Sequence, residues 1–167
     1  MNEILLSKIQ KIKLVVSDVD GVLTDGSLYF SENGLELKKF NVKDGLGFVL
    51  LQNAGIKTGI ITTDKSPIIN ARAKRFKPTF LISGTWEKLN ALHEQLAELN
   101  ITLDETAYIG DDVNDLEILS EVGFSAAPCD AVGNIKDKAD YVCKAKGGEG
   151  AFRELADLIL AQLTNRN

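Results

Sequence analysis

Two aspartates one residue apart, Asp18-Val19-Asp20, followed at once by Gly21 and then by Thr24-Asp25, are the residues of this sequence best suited to chemistry. They close an apolar run from Ile12 to Val16, broken only by Lys13, that reads as a buried strand. Gly21 lets the backbone turn sharply behind them. Carboxylates held this close repel, and they are tolerated only with a cation, a shared proton or good solvation. A solvated Asx turn is the plain alternative for an isolated Asp-x-Asp. Here the pair has company downstream. Lys57 to Thr62 reads as a strand ending in a hydroxyl, Lys88 opens an amphipathic segment, and Ala107 to Gly110 runs straight into Asp111, Asp112 and Asp115.

The elements that must position these groups alternate along the chain. Gly45 to Ala54 is apolar at helical spacing and ends at Gly55. Ser66-Pro67 opens a helix to about Phe76, with serine at the cap and proline in the first turn. Thr79 to Ile82 reads as a strand, and Glu87 to Leu99 as a helix with Leu89, Leu92, Leu96 and Leu99 on one stripe. Asp112 to Glu121 and Phe152 to Leu163 read as helices, with Phe124 to Ala127 and Asp140 to Cys143 as strands between them. Such alternation implies an α/β fold, a Rossmann-like, doubly wound parallel sheet with helices on both faces. In such sheets the ligand crevice lies at the carboxyl ends of the strands, where the carboxylates fall. One segment breaks the pattern. Residues 26–41 read as a β-hairpin flap with Asn33-Gly34 at the turn and Leu28, Phe30, Leu35 and Leu37 on one apolar face.

Strand-end Asp-x-Asp, strand-end Thr, a Lys at a helix start and strand-end Gly-Asp-Asp-x-x-Asp, in this order, resemble the haloacid dehalogenase superfamily of phosphatases. The resemblance covers nearly the whole chain and implies roles for its residues. Asp18 is the nucleophile that takes up the phosphoryl group, and Asp20 is the acid and base. Thr62 and Lys88 hold phosphoryl oxygens. Asp18, Asp111 and the backbone carbonyl of Asp20 make an oxygen-only site for Mg²⁺, with Asp112 and Asp115 in support. Larger members of the superfamily insert a cap domain after the first or second motif. Here both intervals are filled by core elements and the hairpin, so the expectation is one capless domain, 1–167, whose site stays open unless another subunit covers it.

Composition sets the outer bounds. The 167 residues are 44% hydrophobic and 26% charged, ordinary globular values, and suffice to bury about two-thirds of the unfolded surface. A formal charge of −5 leaves no basic footprint for nucleic acid. Neither a membrane-length apolar run nor the apolar core of a signal peptide is found. Cys129 and Cys143 lack metal spacing and fit a reducing, cytoplasmic setting. The single histidine, His93, lies on a polar helix and offers nothing for a triad or zinc site.

Within the superfamily, the hairpin, Asn41-Val42-Lys43-Asp44-Gly45 and Gly147-Gly148-Glu149-Gly150-Ala151-Phe152-Arg153 resemble the 3-deoxy-octulosonate 8-phosphate phosphatase group. The resemblance implies a homotetramer and an acidic 2-keto-3-deoxy sugar phosphate as substrate, with Lys43, Arg72 and Arg153 as candidates for the sugar carboxylate or the subunit contacts. Two departures keep a nine-carbon nonulosonate 9-phosphate open as the alternative. Thr63-Asp64 follows the second-motif threonine where Gly-Arg or Gly-Glu is usual, and Glu149 stands where the octulosonate enzymes often carry a base. Asp64 and Glu149 therefore join the candidate substrate residues. Two readings of other classes remain: a phospho-accepting receiver, and a catalytically silent oligomerisation domain. The first places its acceptor on a middle strand, and the second loses motif carboxylates that this chain keeps.

Overall fold

Four consecutive buried residues make β1 (Leu14–Ser17) a strand without a solvent face, as the centre of a sheet covered on both sides requires. In the computed structural model, which describes residues 3–164, β1 pairs in parallel with β4 (Lys57–Thr62) and with β6 (Thr106–Ile109). Residues 1, 2 and 165–167, which the sequence reading includes in its domain, lie outside the described residues. β5 (Phe80–Ser83) extends the sheet beyond β4, while β7 (Phe124–Ala127) and β8 (Tyr141–Val142) extend it beyond β6. The order is β5-β4-β1-β6-β7-β8, all parallel. The chain winds outward from β1 to β5, then returns to the other side of β1. That reversal opens a crevice at the carboxyl ends of β1 and β6.

The strand period divides the core into two layers. Val15 faces Phe48 and Leu51 of α2 (Val42–Asn53) and Phe152 and Leu155 of α7 (Ala151–Thr164), with α1 (Glu3–Ile9) and α3 (Pro67–Ala73) on the same side. Phe48 stacks between Phe76 and Phe152, at ring separations of 4.3 and 4.0 Å. Leu14 and Val16 face the other way, onto Leu92 and Leu96 of α4 (Lys88–Leu99), Ile118 and Leu119 of α5 (Leu116–Glu121) and Ile135 of α6 (Gly133–Lys138). The leucine stripe expected of α4 is therefore core. The segment from Asp112 splits into a 3-10 turn, Val113–Asp115, followed by α5. The short helices α1 and α6 carry no pattern that the sequence reading picked out. No helix among the described residues is long and apolar enough to cross a membrane.

The hairpin stands outside the sheet as β2 (Thr24–Ser31) and β3 (Gly34–Phe40). Its turn differs from the expected Asn33-Gly34. Ser31 pairs with Gly34, so Glu32-Asn33 form the loop, and the positive φ of 111° falls on Gly34, the residue that tolerates it. The register also shifts between Tyr29 and Phe30, pairing Tyr29 with Leu37 but Phe30 with Leu35. Paired residues share a face. The apolar side chains thus stand on both faces, Leu28, Phe30 and Leu35 on one and Tyr29 and Leu37 on the other, instead of the single face expected from strict alternation.

Candidate active site

The backbone pairing of β1 and β6 runs one residue past the strands, because the Asp18 N–H donates to the Ile109 carbonyl at 3.0 Å. This fixes Asp18 at the mouth of the crevice, buried, beside the loop that carries Asp111 and Asp115. One carboxylate oxygen from each of these three residues lies within 4.8 Å of the others. Gly21 makes the approach possible, since a Cβ there would meet the Asp111 carboxylate at 1.9 Å and φ is +79°. The chain needs glycine at this position twice over, for the turn and for the room.

Lys88, first residue of α4 and 2% exposed, lies among these carboxylates. Its Nζ is 3.0 Å from Asp18 Oδ2 and 2.6 Å from Asp115 Oδ1. Burial alone lowers the Lys88 pKa, but Asp18 and Asp115 outweigh it and leave the value raised. Asp115 is fully committed. It also accepts the Tyr108 hydroxyl at 2.6 Å and the Asp111 N–H at 3.0 Å. Those donors place it to orient Lys88 and the Asp111 loop.

One ammonium against three carboxylates leaves the cluster short of positive charge. Burial, then the Asp115 charge, push Asp18 well above the usual carboxyl range, with Lys88 only partly offsetting them. Asp111 is pushed up to about 7 by burial and by Asp115 and Asp112. A hard divalent cation relieves this strain, and the all-oxygen donor set suits Mg²⁺. Asp112 accepts the Val113 N–H at 2.7 Å, capping the 3-10 turn, and stays exposed.

The cleft, about 300 Å³, is lined by Asp18, Asp20, Thr62, Thr63, Asp111, Asp112 and Asn114 among others. Thr62 ends β4, buried, and its Oγ1 accepts the Asp64 N–H at 3.2 Å. Asp20 follows on the open side, its side chain 35% exposed. The five nominated motif residues Asp18, Asp20, Thr62, Lys88 and Asp111 therefore converge. A larger groove, about 680 Å³, lies away from them at the amino-terminal end of β6.

The candidate substrate residues divide. Asp64 reaches the site through an ion pair with Lys38. Arg72 does not line the cleft: its Nη2 donates to the Asn41 carbonyl at 2.9 Å and its guanidinium lies over the rings of Phe40 and Phe76. Arg153 donates from Nε to Asp157 at 2.7 Å, one helical turn along α7. Lys43 and Glu149 are exposed. The two motifs that carry these residues interlock behind the site. Asn41 Nδ2 donates to the Gly148 carbonyl at 3.3 Å, and Asp44 Oδ1 accepts the Arg153 N–H at 3.0 Å. Gly147 fits because a Cβ there would strike the Gly21 carbonyl at 1.9 Å.

Sequence reasoning missed Lys38. Its Nζ donates to both Asp20 oxygens, at 2.6 and 2.5 Å. Period two in β3 was the available signal, since Lys38 shares a strand face with Phe40, which packs on the core. Tyr108, fully buried beneath Asp115, was missed as well, its hydroxyl hidden in an apolar strand.

A doubly wound sheet with an aspartate pair after its first strand, and with hydroxyl, ammonium and carboxylate at three further element ends, defines a hydrolase built for phosphoryl transfer. Residues 56–155 match the haloacid dehalogenase-like hydrolase family, and the chain belongs to it. It is 40% identical over 153 residues to the 3-deoxy-D-manno-octulosonate 8-phosphate phosphatase KdsC of Haemophilus influenzae, covering 92% of this chain and 85% of that protein. The crystal structure of the phosphatase of that name from Yersinia pestis superposes with a TM-score of 0.95 at 40% identity, covering 98% of this chain and 89% of that one. That of the Moraxella catarrhalis enzyme, in complex with a magnesium ion, a phosphate ion and a KDO molecule, superposes at 0.94 and 40% identity, covering 99% and 94%.

Proposed function

We propose that this chain is a Mg²⁺-dependent phosphatase that removes the terminal phosphate of 3-deoxy-D-manno-octulosonate 8-phosphate through an aspartyl-phosphate. The observation that carries the reading is the underneutralised cluster of Asp18, Asp111 and Asp115 around Lys88, in a chain 40% identical to phosphatases of that substrate. The Asp18 carboxylate attacks phosphorus, the bond from phosphorus to the sugar oxygen breaks, and Asp20 gives that oxygen its proton. Asp20 then takes a proton from water as the water attacks phosphorus, which frees Asp18 and inorganic phosphate. Lys88 and the Thr62 hydroxyl hold the phosphoryl oxygens throughout. Bound Mg²⁺, held by Asp18, Asp111 and the Asp20 carbonyl, supplies charge neutralisation where two anions must meet.

The reading extends to a cytoplasmic homotetramer in which neighbouring hairpins roof each open cleft. Leu28, Phe30 and Leu37 are all about half exposed or more, which supports a second surface against them. Lys43 and Glu149, exposed on the interlock, are our candidates for substrate contact across that boundary. Glu149, an exposed acid, favours the nine-carbon sugar as the second reading, since a longer polyol brings more hydroxyls that can donate to it. A phosphate-release screen with and without Mg²⁺, over 2-keto-3-deoxy sugar acid phosphates of six, eight and nine carbons, tests both. The eight-carbon ester is expected to give the highest kcat/KM; preference for nine carbons would transfer the assignment, and metal-independent release would refute the mechanism.

A further inference from the structure

Lys38 lies on a solvent-facing hairpin, yet its side chain is only 1% exposed. Its ammonium reaches past the strand to both oxygens of Asp20 and also pairs with Asp64. Asp64 is itself fixed. Its Oδ1 accepts the Ser66 N–H at 2.7 Å, at the cap of α3, and its own N–H donates to Thr62 Oγ1 at 3.2 Å. Asp20 receives one further restraint, the Thr24 hydroxyl at 3.2 Å from Oδ1. An ammonium has three donors and no acceptor, so it settles where acceptors converge from different elements. Here they come from the first-motif loop and the second-motif loop, and the lysine comes from β3.

We propose that Lys38 is a positioning residue for the Asp20 carboxylate, held in place by Asp64, so that the hairpin and the loop after β4 together fix where the acid meets the leaving oxygen. The inference rests on the phosphatase reading above. General acid catalysis needs the carboxyl group within hydrogen-bond reach of the departing oxygen, and an open cleft offers Asp20 few walls to lean on. Lys38 supplies that support without touching the phosphoryl group. Asp64 keeps a counter-charge on Lys38 when Asp20 gives up or takes a proton, so the ammonium does not swing away.

The test compares two esters in the wild type and in Lys38→Met, Lys38→Arg and Asp64→Asn. The sugar phosphate loses an alkoxide and needs the proton; p-nitrophenyl phosphate loses a phenolate and does not. Lys38→Met is expected to lower kcat on the sugar phosphate by about 10²-fold, the lower end of what acid–base catalysis contributes, with KM little changed. Its loss on the aryl ester is expected to be several times smaller. Asp64→Asn should shift the ratio of the two rates in the same direction by less, and Lys38→Arg should recover much of it, because a guanidinium can span both Asp20 oxygens. Equal losses on both esters, in Lys38→Met or, should that variant not fold, in Asp64→Asn, would overturn the proposal while leaving the phosphatase reading intact. A wild type that cleaves the aryl ester but no sugar phosphate overturns the reading itself, and the inference with it.

Discussion

Asp18 and Asp20, separated by Val19 alone, live in opposite surroundings. Asp18 is buried beside Asp115 and Lys88, whereas Asp20 is partly exposed and clasped by Lys38. On the proposed mechanism, that contrast lets one strand end supply both a nucleophile and a proton carrier. Asp18→Asn is expected to abolish turnover on every ester. Asp20→Asn is expected to keep a burst of p-nitrophenol in rapid-mix experiments, since attack survives and only proton transfer fails. A burst from Asp18→Asn, or none from Asp20→Asn, would reverse the assignment. At this scale the sequence was legible where an apolar strand ended in a polar or charged group, as at Asp18, Thr62 and Asp111, and where an amphipathic helix opened on one, as at Lys88. Lys38 was missed, and the surroundings of Arg72 were not foreseen, for a shared reason. Where a long cation ends up depends on how its element docks. The Arg72 guanidinium found two aromatic faces and a carbonyl, and the Lys38 ammonium found two carboxylates.

At the scale of elements, the parallel sheet and its principal helices were legible because hydrophobic period and caps agree, as at Ser66-Pro67. Hairpin register was not, since one shifted pair moves every later side chain to the other face. The join between α2 and α7 was equally hidden, for it depends on Asp44, a carboxylate in the first turn of one helix that caps the first turn of another. Burial raises the Asp44 pKa to about 6, and the Arg153 N–H and Arg72 offset only part of it. The folded state therefore holds this proton more tightly than the unfolded chain, whose carboxyl sits near 3.8. The stability from this group is complete below 3.8 and is lost as pH rises through about 6. Thermal unfolding of wild type and Asp44→Asn between pH 4 and pH 7 isolates it. The wild type should lose up to about 3 kcal/mol relative to the variant across that window, two pKa units' worth. A difference that grows in the wild type's favour as pH rises would mean that α7's amino terminus holds Asp44 ionised.

The whole molecule has an open cleft and a hairpin whose apolar residues face both ways. Phe30 is 67% and Leu37 63% exposed, on opposite faces. In an assembly with one two-fold contact, a partner covers a given patch once, so one face of the hairpin would stay wet. Covering both faces requires two neighbours for each hairpin, and a closed tetramer is the smallest even-numbered symmetric assembly that provides them. In the proposed tetramer the same contacts would set a neighbour against the cleft beside Asp20, where Lys38 already anchors β3. Assembly and sugar recognition are thus expected to fail together. Light scattering should give a tetramer for the wild type and smaller species for Phe30→Glu and for Leu37→Glu. Either change should lower kcat/KM for the sugar phosphate by about tenfold or more, as losing a few buried apolar contacts implies. p-Nitrophenyl phosphate uses the Asp18 chemistry and little of the pocket wall, so its hydrolysis should fall less. A wild-type monomer with full sugar-phosphate activity would mean that the chain shields its own site, and the exposed hairpin would then need a different partner.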